Sequence, residues 1–91
     1  MKPIEAIEAL ESESAEEQVE GLQALINSGA AWRLEGSVGR AAMEAIEAGL
    51  CVLGEEPRYD YWGNRVPSRY EVEPGTKGSV EYAARMTAER D

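Results

Sequence analysis

Histidine and phenylalanine are absent from this 91-residue chain, and it has a single cysteine, Cys51. One cysteine excludes an intramolecular disulfide, and without histidine no Cys–His nucleophile can form within one chain. Cys51 lies in the apolar run 50–53 (Leu-Cys-Val-Leu), which is typical of a buried core thiol. The sequence also lacks a pattern of metal ligands. We therefore expect no enzymatic activity, no metal and no cofactor.

The chain also lacks long apolar runs and an excess of basic over acidic residues. No stretch approaches the roughly 20 apolar residues that a membrane-spanning helix needs, and residues 1–5 are unlike a signal peptide. We therefore expect a cytoplasmic protein without a membrane partner. The net charge is −9, and residues 1–29 hold seven acidic residues against one basic residue. Because binding to phosphates depends on lysine and arginine, nucleic acid is disfavoured as a partner.

What is present is an ordinary globular composition, 43% hydrophobic and 30% charged. The length indicates one domain over 1–91, with an acidic helical part at 1–29 and a mixed helix and hairpin part at 30–91. A chain this short buries a modest share of its surface, and self-association is a common source of additional stability. We therefore expect a homo-oligomer.

The N-terminal third has helical spacing. Apolar residues recur at helical intervals over 3–11, which predicts a first helix. Ser14 and Glu17 match a capping box that starts a second helix, and Gly29 provides its left-handed stop. A single bent helix over 3–28 is the alternative.

Two further helices are predicted. The third begins with Ser37 as its N-cap and ends at Gly49, and the fourth spans 80–89 with Ser79 as its cap. The polar stripe of the third helix consists of Arg40, Glu44 and Glu47.

The remaining segments have strand character. Alternation predicts a short strand or extended connector over 30–35, and the apolar run 50–53 predicts a buried strand. Segments 58–62 and 65–72 predict a hairpin that reverses at 63–64. The sequence therefore predicts an α+β domain of about four helices with a small antiparallel sheet.

The segment 36–40 (Gly-Ser-Val-Gly-Arg) is one candidate site. Free N–H groups at a helix start favour an anion, and an arginine in the first turn can hold it. The candidate anion-binding residues are Ser37, Gly39 and Arg40. The alternative is a capped tight turn whose glycines allow close packing against Trp32.

The segment 58–70 is the main outlier. It holds four of the six aromatic residues and three of the nine basic residues, and its only acidic residue is Asp60. Tyrosine, tryptophan and arginine dominate interaction hot spots. The candidate partner-binding residues are Arg58, Tyr59, Tyr61, Trp62, Arg65, Arg69 and Tyr70. The alternative is a second small core, in which the aromatics cover the sheet and the arginines pair with acidic residues.

Several phrases of the chain resemble those of a family of small proteins encoded by bacteriophages of Mycobacterium and related actinobacteria. The phrases are Gly21-Leu22-Gln23, 32–40, 46–49, 60–64, 66–72 and 74–79. The resemblance implies a phage accessory protein expressed in the host cytoplasm. It implies no activity and no catalytic residues.

The sequence thus favours a non-enzymatic phage accessory protein that binds a host or phage protein through residues 58–70 and forms a homo-oligomer. The first alternative is a module that binds or sequesters an anionic nucleotide at residues 36–40, helped by the arginines of 58–70. The second alternative is a winged-helix-like DNA-binding protein. The acidic third helix, with Glu44 and Glu47, suits DNA poorly.

Overall fold

The structure, a computed structural model, describes residues 1–34 and 36–90. These residues form four α-helices, one 3-10 helix and a two-stranded antiparallel hairpin. The helices are α1 (Pro3–Ala9), α2 (Ala15–Ser28), α3 (Gly36–Glu47) and α4 (Val80–Arg90). The 3-10 helix is Ala30–Trp32, and the strands are β1 (Arg58–Tyr59) and β2 (Arg65–Val66). The predicted α+β class is confirmed.

The first two helices are separate and pack against each other, so the alternative of one bent helix is wrong. The Ser14 hydroxyl accepts a hydrogen bond from the backbone N–H of Glu17 at 3.4 Å, as the capping box predicts. Gly29, with φ 85°, ends α2 in the predicted left-handed conformation. Gly21 lets α1 come close, because a Cβ at this position would lie 2.6 Å from the carbonyl oxygen of Ala6.

One buried cluster of the described residues joins α1, α2, the 3-10 helix, α3 and the segment after α3. Its members are Ala6, Leu22, Leu25, Ile26, Ala31, Trp32, Ala42, Ala45, Ile46, Cys51 and Leu53. Burial of each larger aliphatic side chain contributes roughly 1.5–3 kcal/mol. The 3-10 helix is therefore held between α2 and α3 by the side chains that it buries.

The segment 30–35 is not the extended connector that alternation predicts. Its first three residues form the 3-10 helix, in which the N–H of Trp32 donates to the carbonyl of Gly29 at 3.3 Å. This turn places Trp32 in the core, where only 7% of its surface is exposed. The remainder of the prediction falls partly on residue 35, which lies outside the described residues.

The predicted strand at 50–53 is also wrong. Cys51 and Leu53 are buried, but Leu50 is exposed, and the backbone here is irregular. The side-chain amide of Gln23 provides the hydrogen bonds that a neighbouring strand would have provided to Val52.

The hairpin is confirmed, but its strands are two residues long rather than five and eight. Arg58 pairs with Val66 and Tyr59 with Arg65. The N–H of Asp60 still donates to the carbonyl of Asn64 at 2.9 Å, and side chains bind further backbone N–H groups at both ends of the strands. The Asp60 carboxylate accepts two N–H groups of the turn, and Glu71 accepts the N–H of Ser68 at 2.8 Å.

The last helix, α4, covers the C-terminal end of α3. The Ser79 hydroxyl accepts the N–H of Tyr82 at 3.1 Å, which confirms the predicted cap. The Tyr82 hydroxyl donates to the carbonyl of Glu47, and Arg90 donates to the carbonyl of Ala48 at 2.7 Å. Two carbonyls that α3 leaves unpaired at its end are thereby satisfied. None of the helices within 1–34 and 36–90 combines the length and apolar character that crossing a membrane requires.

Candidate functional site: a groove between α3 and the hairpin

An open groove of about 790 Å³ lies between α3 and the hairpin. The α3 wall consists of Gly36, Gly39, Arg40, Met43, Glu44 and Glu47. These positions are three or four residues apart, so they share one face of the helix. The opposite wall consists of Asp60, Tyr61, Trp62 and Val66, and the residues between the walls are Ala31, Trp32, Arg33 and Leu34.

The hairpin wall is fixed by its turn. The Asp60 Oδ1 atom accepts the N–H groups of Trp62 and Asn64 at 2.9 and 2.8 Å, a local pattern that closes tight turns. The N–H of Tyr61 donates to the carbonyl of Trp32 at 2.9 Å, which ties the tip of the hairpin to the 3-10 helix. The backbone that carries the two aromatic side chains is therefore held at both the turn and the core.

The aromatic side chains at this tip are open to solvent. Tyr61 is 74% exposed and Trp62 is 81% exposed. Their rings contact each other edge to face, with centroids 5.3 Å apart and an interplanar angle of 85°. Two large rings thus stand at the rim of the groove with most of their surface available.

The predicted partner-binding residues separate into two groups. The four aromatics are exposed, so the alternative of a second small core is wrong for them. Only Tyr61 and Trp62 line the groove, whereas Tyr59 borders a smaller pocket and Tyr70 lines neither.

The three arginines of the segment are engaged within the protein. Arg58 donates to the carbonyl of Asn27 at 2.9 Å, at the C-terminal end of α2, where a cation is favoured. The Nε atom of Arg69 donates to the carbonyl of Leu53 at 2.8 Å. Arg65 pairs with Glu71. Hydrogen bonds from Ser68 and Arg65 lower the pKa of that carboxyl. Arg58 and Arg69 therefore link the hairpin segment to α2 and to the segment after α3, whereas Arg65 pairs within its own segment and stays half exposed.

The candidate anion-binding residues are only partly brought together. Gly39 and Arg40 line the groove, and Ser37 does not. The helix begins at Gly36, so Ser37 lies within its first turn and the prediction that Ser37 is the N-cap is wrong. The residue before the helix, at position 35, lies outside the described residues.

The groove carries charge of both signs. Arg33 and Arg40 line it together with Glu44, Glu47 and Asp60. Among residues 1–34 and 36–90, no ion pair within 4.0 Å involves any of the α3 charges Arg40, Glu44 and Glu47. In the described ranges, no group of three or more His, Cys, Asp or Glu side chains is arranged to hold a metal ion.

Reasoning from the sequence missed several groove residues. Asp60 could have been found, because a carboxylate three residues before a glycine at a predicted reversal is a turn signal. Met43 could have been added to the stripe of Arg40, Glu44 and Glu47 by helical spacing alone. Arg33 and Leu34 had no such signal, since only the position of the 3-10 helix places them between the walls.

The fold and the site define a small α+β protein with an open groove of mixed charge and an aromatic rim. The chain belongs to the family described as Domain of unknown function (DUF7417), whose model matches residues 5–64. The matched region contains every groove residue except Val66. No curated protein and no solved structure matches the chain.

Proposed function

We propose that this chain is a non-enzymatic protein that acts by binding another protein chain in the groove. The observation that carries the proposal is the exposure of Trp62 and Tyr61 on a backbone fixed by Asp60. Burial of one large apolar or aromatic side chain contributes up to about 1.5–3 kcal/mol. Exposed charge pairs contribute about 0–1 kcal/mol each. The two rings are therefore the largest source of binding energy that these groove residues offer.

The chemical inventory supports a role without catalysis. The chain has no histidine, and burial raises the pKa of the Cys51 thiol to about 11, which keeps it protonated and unreactive near neutral pH. The groove also has the open shape of a docking surface rather than that of an enclosed substrate cavity. The resemblance to actinobacteriophage proteins supports a place of action in the host cytoplasm, with a host or phage protein as the partner.

Two alternatives have less support. An anionic nucleotide would find Arg33 and Arg40 in the groove, but also the carboxylates Glu44 and Glu47 beside them. The hairpin arginines that were expected to help it are engaged elsewhere. A winged-helix-like role would require α3 to face phosphates, and its exposed face presents the same two carboxylates.

Affinity capture with a matched control tests the proposal. Tagged wild-type protein, Trp62→Ala and Tyr70→Ala are each incubated with an actinobacterial lysate that also contains the untagged chain. Tyr70 is 71% exposed but lies outside the groove, so its loss controls for general surface stickiness. We expect at least one protein, foreign or the chain itself, to be retained by wild type and Tyr70→Ala and lost with Trp62→Ala. Identical retention by all three would overturn the proposal.

A further inference from the structure

We propose that the chain bound in the groove is a second copy of this protein, with α3 packed antiparallel against α3 of the second copy across a two-fold axis. This inference rests on the proposed function, because it names the occupant of the same groove. It begins with the order of side chains along the exposed face of α3. A cation, Arg40, comes first, Met43 and Glu44 follow, and an anion, Glu47, comes last.

The order of charges along α3 is complementary to the order along a second, antiparallel copy of the same helix. A two-fold axis reverses the direction of the second helix, so each residue faces one equally far on the other side of the axis. With the axis between Met43 and Glu44, Arg40 of each copy faces Glu47 of the other. Both charge pairs form at once, and Met43 of each copy, 46% exposed, packs against the aliphatic part of Glu44 of the other copy beside the axis.

The charge distribution favours a second copy at this face in spite of the net charge of −9. Seven acidic residues lie in 1–29, and no residue of α1 or α2 lines the groove. The groove itself has two basic and three acidic residues, of which Asp60 is occupied by its own turn. Two copies that meet here bring together nearly balanced surfaces. Trp62 and Tyr61 at the rim supply burial, and the charge pairs set the orientation.

Charge reversal tests the arrangement with the full chain. Sedimentation velocity is run on wild type, Arg40→Glu, Glu47→Arg, the double variant and an equimolar mixture of the two single variants. We expect wild type to dimerise and each single variant to dimerise at least about tenfold more weakly, because like charges then face each other twice. The double variant and the mixture should both recover the dimer, since opposite charges face each other again.

Circular dichroism confirms that each variant is folded. Glu20→Arg, at an exposed position of α2 that does not line the groove, is the charge-reversal control and should dimerise like wild type. The proposal is overturned if wild type stays monomeric at about 1 mM, where even a weak interface is populated. It is overturned equally if the single variants dimerise like wild type, or if the mixture fails to pair. If wild type is monomeric but captures a foreign protein through Trp62, the second copy is wrong as the occupant and the proposed function still holds. If wild type and Trp62→Ala capture the same proteins, the proposed function itself is contradicted.

Discussion

The side-chain amide of Gln23 makes both of the hydrogen bonds that a β-strand would make to Val52. Its Oε1 atom accepts the N–H of Val52 at 2.8 Å, and its Nε2 atom donates to the carbonyl of the same residue at 3.0 Å. The apolar run 50–53 therefore stays irregular. Its backbone is satisfied by a helix side chain 29 residues away in sequence.

Removal of this amide should destabilise the protein. We expect Gln23→Met to lower the free energy of unfolding by about 1–3 kcal/mol, because the polar groups of Val52 lose their partners while the side-chain length is kept. Glu20→Met, on the exposed side of α2, is the control and should change stability by less than about 0.5 kcal/mol. Urea denaturation measures both. Equal effects of the two substitutions would contradict the structural role of Gln23.

This contact shows where prediction from sequence succeeds and where it ends. The caps of α2 and α4 were predictable because Ser14 and Ser79 each bond to a residue three positions away. The run at 50–53 has the composition of a strand, and nothing within it indicates that Gln23 will bind it. Local signals thus predicted the four α-helices but neither the start of α3 nor the 3-10 helix, and long-range contacts determined the irregular segments.

The candidate site also combines features that local sequence predicts with features that long-range contacts determine. Composition correctly singled out 58–70 as unusual, but it treated tyrosine, tryptophan and arginine as one surface. The contacts of Arg58 and Arg69 with α2 and the segment after α3 separate them into anchors and exposed rings. Which ring lies on the groove depends on where the hairpin tip meets Trp32, and no pattern within the hairpin carries that information.

Arg69 should therefore behave as a structural residue. Its Nε atom donates to the carbonyl of Leu53 at 2.8 Å, and its Nη2 atom donates to the side chain of Asn27 at 3.3 Å. We expect Arg69→Met to cost about 1–3 kcal/mol of stability, since a carbonyl loses a charged donor. The neighbouring Tyr70→Ala should cost less than about 0.5 kcal/mol, since Tyr70 is exposed. Thermal unfolding of both variants checks this, and a stable Arg69→Met would show that the arginine is dispensable for the fold.

Gly49 marks the contact of α4 with the end of α3. It has φ 77°, and a Cβ there would collide with the side chain of Met86. Gly63 has a similar φ of 84° but nothing within 4 Å of such a Cβ. We expect Gly63→Ala to cost about 1–2 kcal/mol for the left-handed conformation alone. Gly49→Ala should cost at least about 1 kcal/mol more, because α4 must shift.

Urea denaturation of Gly49→Ala and Gly63→Ala measures the difference between their free energies of unfolding. Limited proteolysis adds a local measurement, since loosening of α4 should make its peptide bonds more accessible in Gly49→Ala than in Gly63→Ala. Equal stability and equal cleavage of the two variants would show that α4 does not depend on close contact at Gly49.

We expect the burial of Cys51 to make the free energy of unfolding decrease at alkaline pH. The thiol is buried, with its sulfur 3.7 Å from the carbonyl oxygen of Val19, and burial raises its pKa from 9.0 to about 11. Below about pH 8 the thiol is mostly protonated in both the folded and the unfolded chain. Between pH 9 and 11 the unfolded chain releases this proton and the folded chain retains it, so ionisation favours unfolding.

The contribution of Cys51 should therefore be constant up to about pH 8 and then fall by about 2 kcal/mol by pH 11, since each pKa unit is worth about 1.4 kcal/mol. Cys51→Ala is the control, because the other titrating groups are the same in both proteins. Both proteins are denatured in urea at several pH values. We expect the free energy of unfolding of wild type minus that of Cys51→Ala to decrease between pH 8 and 11. A difference that stays constant from pH 8 to 11 would show that the thiol titrates alike in both states. Reaction with iodoacetamide should likewise be slow in the folded protein and fast in urea, because only the thiolate reacts.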